Sequence, residues 1–210
     1  MLSKMVLDAL EVTEKDTVHM LKLISWNVHR GFKKLSKQVE ALSDQAPHIV
    51  ALQEVTTRSA LLFENEFARI GLPYIAHTFQ DNPENKPSGV LIASRFKISR
   101  LAGLPHSELW SGGVHSPDSD RDTLVKHWTK RTLFITVQST WGDIDLYNVH
   151  ITPYYGGERL PDGRPYHQIK LELLAGVYRT LSCYTNRLRI LCGDFNTPQE
   201  EMIPYQILCN

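Results

Sequence analysis

The stretch Arg189, Ile190, Leu191, Cys192, Gly193, Asp194, Phe195, Asn196, Thr197, Pro198 joins a short apolar run to an abrupt polar break. Ile190 to Cys192 have the pattern of a buried strand covered on both faces. Gly193 frees the backbone at the break. In extended geometry Asp194 and Asn196 leave one face of the chain, a carboxylate beside a carboxamide, while Phe195 leaves the other. That pairing suits a hard cation or a phosphate. Gly, Asp, Asn and Pro are also the residues of ordinary turns, and taken alone the stretch favours a turn.

Three other runs alter that balance. Leu23, Ile24, Ser25, Trp26, Asn27, Val28 is a β-type run closing on an amide, and Ile49, Val50, Ala51, Leu52, Gln53, Glu54, Val55 closes on a carboxylate. Leu146, Tyr147, Asn148, Val149, His150 closes on an imidazole. Each strand therefore delivers a group able to touch a metal or a phosphate at its tip.

Taken in this order, Ser25-Trp26-Asn27, Gln53-Glu54, the run Ser88 to Arg95 (Ser-Gly-Val-Leu-Ile-Ala-Ser-Arg) and Gly193-Asp194-Phe195-Asn196 resemble the endonuclease/exonuclease/phosphatase superfamily of deoxyribonuclease-like metal-dependent phosphoesterases, over about Met20 to Thr197. The resemblance implies a four-layer α/β/β/α sandwich of two mostly antiparallel sheets flanked by helices. It further implies metal-dependent hydrolysis of a phosphate ester, most naturally a phosphodiester, with Mg²⁺ or Mn²⁺ as cofactor. Glu54 is then the metal ligand with Asn27 in the metal shell, and Asp194 handles the attacking water. Asn196 and His150 donate to phosphate oxygens. The plainer readings are a solvated strand-end carboxylate for Glu54, a strand cap for Asn27 and a hydrogen-bonded core-edge imidazole for His150.

The family ends with further strands carrying a Ser-Asp-His whose His is catalytic, whereas the fourteen residues after Asn196 include no His. The expectation is a C-terminally truncated domain with its last strands missing, marginal alone and open to a partner strand or second fragment that completes the sheet. The alternative function is a catalytically silent binding or interaction module that keeps the fold.

Composition agrees with one domain. The chain has 210 residues, 42% hydrophobic and 22% charged, with Lys plus Arg and Asp plus Glu at 23 each. A net charge of +0 gives no global electrostatic case for nucleic acid, which leaves a local basic groove as the route to such a substrate. Three cysteines without a C-x-x-C spacing argue against a disulfide framework and a zinc knuckle. No apolar stretch approaches the roughly 18 residues of a membrane span, and the N-terminus has no signal-peptide h-region. A cytoplasmic protein without a membrane partner follows by elimination.

Residues 1–19 read as a loosely attached extension with a short helical stripe at Leu2, Val6 and Leu10, ahead of a domain over 20–210; Met20 is a candidate natural start. Leu35 to Ala46 and Ser59 to Ile70 have helical periodicity, the second through Leu62, Phe63, Phe67 and Ile70. Tyr74 to Phe79 and Val90 to Ala93 read as strands. Leu133 to Val137 and Ile144 to Val149 read as a hairpin turned at Trp141-Gly142-Asp143. Ala102 to Lys130 is a long insertion holding His106, His115 and His127. Thr152 to Pro165 is loop chemistry, in which Tyr154 and Arg159 are candidate substrate contacts for a base and a phosphate, beside the reading of a glycine-hinged surface loop. Ile169, Leu173, Leu174, Val177 and Leu181 mark a last helix.

Overall fold

A computed structural model describes residues 5–14, 17–30, 34–78, 89–100, 131–151 and 187–197, together with Lys170, Leu174, Val177, Tyr178 and Leu181, all five helical. Two sheets face each other. The first has the order β1 (Met5–Glu14), β2 (Thr17–Asn27), β3 (Ile49–Val55), β5 (Gly89–Ser94), β4 (Tyr74–His77). The second has the order β6 (Lys97–Arg100), β7 (Thr132–Ser139), β8 (Gly142–His150), β9 (Leu188–Asp194). Both are mixed: β2 runs parallel to β3 and β8 parallel to β9, and the other neighbouring pairs are antiparallel.

Alternation along the strands sorts side chains into three cores. Leu23, Ile49, Ala51, Ile92, Ile135, Leu146 and Cys192 meet between the sheets. Ile24, Val50, Leu52, Leu91 and Ala93 face outward under helices α1 (Leu35–Ser43) and α2 (Thr57–Arg69). On the far side Phe134, Tyr147 and Val149 pack on the helical Leu174 and Val177. The result is an α/β/β/α sandwich. Among the described residues no helix is long and apolar enough to cross a membrane.

Helix α2 starts two residues before the periodicity places it. Thr56 and Ser59 exchange side-chain and backbone hydrogen bonds in a capping box, which satisfies donors that the first turn would otherwise leave bare. Its buried stripe is Ala60, Phe63 and Phe67, and Leu62 is exposed. Helix α1 buries Leu35, Val39 and Leu42 as the spacing predicts but stops at Ser43, with Ala46 in the left-handed region just before Pro47.

Three further differences stand out. Residues 5–14 form a strand paired with β2 rather than a helical stripe, and Met20 lies inside β2 opposite Glu11. β6 was not signalled, being four residues with two cations. The hairpin turns on Thr140 and Trp141, one residue earlier than expected, with Ser139 opposite Gly142. Phe79, the segments 102–130 and 152–165, Ile169 and Leu173 lie outside the described residues.

β9 extends to Leu188–Asp194, and only Cys192 in it is fully buried. Ile190 and Leu191 pack on the inner and outer cores but are only partly buried, because β9 has β8 on one side and comes last in the described order of its sheet. Against β8 the fit is close. Gly193 has φ 142°, and a Cβ built there would meet the carbonyl oxygen of Val149 at 1.9 Å. A backbone oxygen cannot swing aside, so the two parallel strands would have to part. Gly193→Ala is expected to cost at least about 3 kcal/mol, a drop of roughly 6–12 °C in melting temperature; calorimetry finding a change below about 2 °C would refute this account of the glycine.

Candidate active site

Asn27, Glu54, His150 and Asp194 converge at one end of the sandwich, two from each sheet. In β2 the residues Leu21, Leu23, Ser25 and Asn27 share the inner face, and in β8 so do Leu146, Asn148 and His150. His150 pairs in register with Asp194 at the tip of β9. One ligand atom each from Glu54, His150 and Asp194 lies within 4.8 Å of the others.

Glu54 reaches the site by a bulge. The β3–β5 register steps from Leu52↔Leu91 to Val55↔Gly89, so Gln53 and Glu54 together oppose Val90. Strict alternation would send Glu54 outward with Val50 and Leu52, under the helices. Instead Glu54 has φ 56°, Gln53 points inward and Val55 resumes the outer face. The turn after β2 supports this conformation: Val28 N–H donates to the Gln53 carbonyl at 3.0 Å and Arg30 N–H to the Glu54 carbonyl at 3.1 Å. His29 and Arg30 are themselves left-handed, at φ 49° and 53°. Non-glycine residues seldom adopt that region, and three in one place mark a strained segment held by its surroundings.

Asn27 bridges the carboxylates. Its Nδ2 donates to Glu54 Oε1 at 3.1 Å and to Asp194 Oδ2 at 2.6 Å, while its Oδ1 accepts from His29 N–H at 2.8 Å. The acceptor contact fixes which way the amide faces. Asn27 thus spaces the two acids and turns its oxygen to the backbone.

Asp194 Oδ1 accepts from the N–H of Asn196, which has φ 44°. The Asn196 side chain donates through Nδ2 to the Ile151 carbonyl at 2.8 Å, and its own carbonyl accepts from Lys170 Nζ at 2.7 Å. Phe195 leaves the other face and packs on the outer core. Tyr154 and Arg159 lie outside the described residues.

His150 is buried, and among the described residues neither ring nitrogen has a hydrogen-bond partner. Its Nε2 stands 3.6 Å from Glu54 Oε1, too far for a hydrogen bond. Burial first, then the Arg131 guanidinium, push its pKa below 6.5 against the opposing pull of Glu54 and Asp194. The neutral imidazole that results is no ion-pair partner. It offers one N–H and one lone pair.

His29 has no place in the sequence reading, and Gln53 has a different one. His29 places Nδ1 3.5 Å from Glu54 Oε2 at the exposed mouth. Gln53, which the motif groups with Glu54, faces away from it into the layer between the sheets and donates to Asn148 Oδ1 and Ser25 Oγ. The signal for the inward amides of Gln53 and Asn148 is period two: each is a lone amide on the apolar inner stripe of its strand.

The sequence profile of the Endonuclease/Exonuclease/phosphatase family matches residues 24–210. The chain belongs to this family. Its members are hydrolases of the phosphoesterase and nuclease type. Solved structures share the fold at low identity. An AP endonuclease from Archaeoglobus fulgidus is 22% identical with a TM-score of 0.54, aligned over 85% of this chain and 58% of its own. A humanized D. rerio TDP2 carrying 14 mutations is 15% identical with a TM-score of 0.55, over 88% and 69%. Sphingomyelinase C from Streptomyces griseocarneus is 13% identical with a TM-score of 0.60, over 90% and 69%. The chain therefore spans between about half and seven-tenths of the length of such relatives. No curated protein matches it at a significant level.

The state of His150 sets a pH dependence. Folding lowers its pKa, so below 6.5 the unfolded chain binds more protons than the folded one, and stability falls with pH. His48, lowered by burial and by Arg95 and Lys22, acts in the same direction. Melting temperature in EDTA is expected to hold from pH 7.5 to 6.5 and fall below it, less steeply in His150→Gln; equal acid slopes in wild type and variant would contradict the buried neutral state.

Proposed function

We propose that the chain is a divalent-metal-dependent phosphodiesterase whose catalytic groups are Glu54, His150, Asp194 and Asn196, with Asn27 setting their spacing. The observation that carries this reading is the convergence of two carboxylates and a buried imidazole lacking a hydrogen-bond partner among the described residues, drawn from both sheets into a 4.8 Å cluster. Two acids this close repel each other, and a cation between them relieves the repulsion. The donor set fits Mg²⁺ or Mn²⁺, which take oxygen ligands and need only one or two protein carboxylates beside substrate and water. Glu54 and Asp194 would hold the ion.

When bound, the ion neutralises charge that develops on the phosphoryl oxygens. Asp194, fixed by Asn196 N–H and Asn27 Nδ2, orients the attacking water and accepts its proton. His150, neutral and shielded from solvent, donates its N–H to a nonbridging phosphate oxygen. An amide has two N–H groups, so Asn196 can keep one on the Ile151 carbonyl and offer the other to phosphate. As water adds to phosphorus, the ester P–O bond breaks, and the water's proton ends on the departing alcohol. The exposed His29 and Arg30 flank the entrance on the side of Glu54.

The fold is shared by an AP endonuclease, by a D. rerio TDP2 complexed with a single-strand DNA product and by a sphingomyelinase C. A phosphodiester is the chemistry we assign, with nucleic acid as the first source to test and the cytoplasm as the setting. Hydrolysis of bis(p-nitrophenyl) phosphate in Mn²⁺ is expected to stop with EDTA and to fall by about 10²–10⁴ in Asp194→Asn. Glu54→Gln should lose the rise in melting temperature that millimolar Mn²⁺ gives the wild type. Turnover unaffected by EDTA, or equal in Asp194→Asn, would refute the assignment.

A further inference from the structure

The bulge that delivers Glu54 leaves a gap in its own ladder, and a side chain from the opposite sheet fills it. Asn148, on the inner face of β8 two residues before His150, is fully buried. Its Nδ2 donates to the carbonyl of Leu52 at 3.0 Å and to that of Leu91 at 3.1 Å. Those two residues are the last register pair before the bulge. Carbonyls only accept, so the amide can face one way, and Oδ1 then accepts from Gln53 Nε2 at 2.7 Å. Gln53 is the residue bulged together with Glu54. Its Nε2 also reaches Ser25 Oγ at 3.1 Å, which carries the chain of bonds to β2. Asn148 therefore grips the bulge at its base on both strands and at its first inserted residue.

We propose that Asn148 is a positioning residue: by binding the Leu52 and Leu91 carbonyls and the Gln53 amide across the sheet interface, it holds the β3 bulge in the one conformation that turns Glu54 toward His150 and Asp194. A buried carbonyl without a donor is costly, so removing the amide leaves the ladder two ways to recover. It can admit water, or it can slip toward regular pairing, which returns Glu54 to the helix side. Either shifts the carboxylate. The consequence for cation binding rests on the function proposed above, and the consequence for the backbone does not.

Two measurements on Asn148→Ala, made well below its melting temperature, test this. Amide exchange of Val28 and Arg30, whose N–H groups bond Gln53 and Glu54, is expected to accelerate at least ten-fold relative to the amides of β2. Titration with Mn²⁺ alone should show affinity ten-fold or more below wild type, the range seen when groups behind a metal ligand are removed. Should the alanine variant fail to fold, Asn148→Ser, which keeps one donor, gives the same comparison with smaller effects. Unchanged exchange at Val28 and Arg30 with an affinity within two-fold of wild type, whatever the melting temperature, overturns the proposal and leaves Asn148 a packing residue. If the wild type binds no Mn²⁺ while exchange still accelerates, the metal reading falls and the hold on the bulge stands.

Discussion

One extra residue in β3 sets the geometry at the end of this sandwich. Without the bulge, Gln53 and Glu54 would continue the alternation of the strand, and a carboxylate would sit under α1 and α2 beside Val50 and Leu52. Burying an unpaired carboxylate there is far costlier than the strain of one left-handed residue, which is on the order of 1–3 kcal/mol. The bulge keeps the amide inward and turns the acid to the sheet end. It is held on the β2 side by the N–H groups of Val28 and Arg30 and from the opposite sheet by Asn148. Left-handed residues gather at this end: His29, Arg30, Glu54 and Asn196. The other end of β3 is quiet, with His48 stacked on Phe96 and set edge-on to Trp141.

The cluster exists only when both sheets are packed. Each sheet contributes a parallel pair, β2 with β3 and β8 with β9, whose tips meet. Asn27 of the first sheet bonds Asp194 of the second across 167 residues of sequence. No local element contains enough of the donor set to bind a cation alone. The site is thus complete only with the two sheets packed, and the close approach of Gly193 to Val149 belongs to that packing, since the register it sits in places Asp194 beside His150.

Periodicity and strand-end polarity made much of this legible. Runs closing on Asn27, Glu54, His150 and Asp194 are visible in the sequence, and the apolar spacings of α1 and α2 mark the helices that cover the first sheet. The bulge is not visible, because period two assigns Glu54 to the wrong face and nothing local announces the inserted residue. For the same reason Gln53 reads as a partner of Glu54 when the two point apart. Asn148 passes as one polar interruption in an apolar strand until the opposing carbonyls of Leu52 and Leu91 are seen. β1 was hidden because Asp8, Glu11 and Glu14 break the apolar pattern and read as a solvated leader, whereas the segment pairs with β2 and ends its sheet's described order. Leu62 shows that helical spacing fixes a face only to within about one residue.

We propose that the two sheets present one oxygen-rich cradle between Glu54 and Asp194. Crystals grown with Mn²⁺ and measured at the manganese absorption edge test it most directly. An anomalous peak is expected within coordination distance of a carboxylate oxygen from each residue. A fully ordered site with no peak there, at a Mn²⁺ concentration that supports turnover, would contradict it.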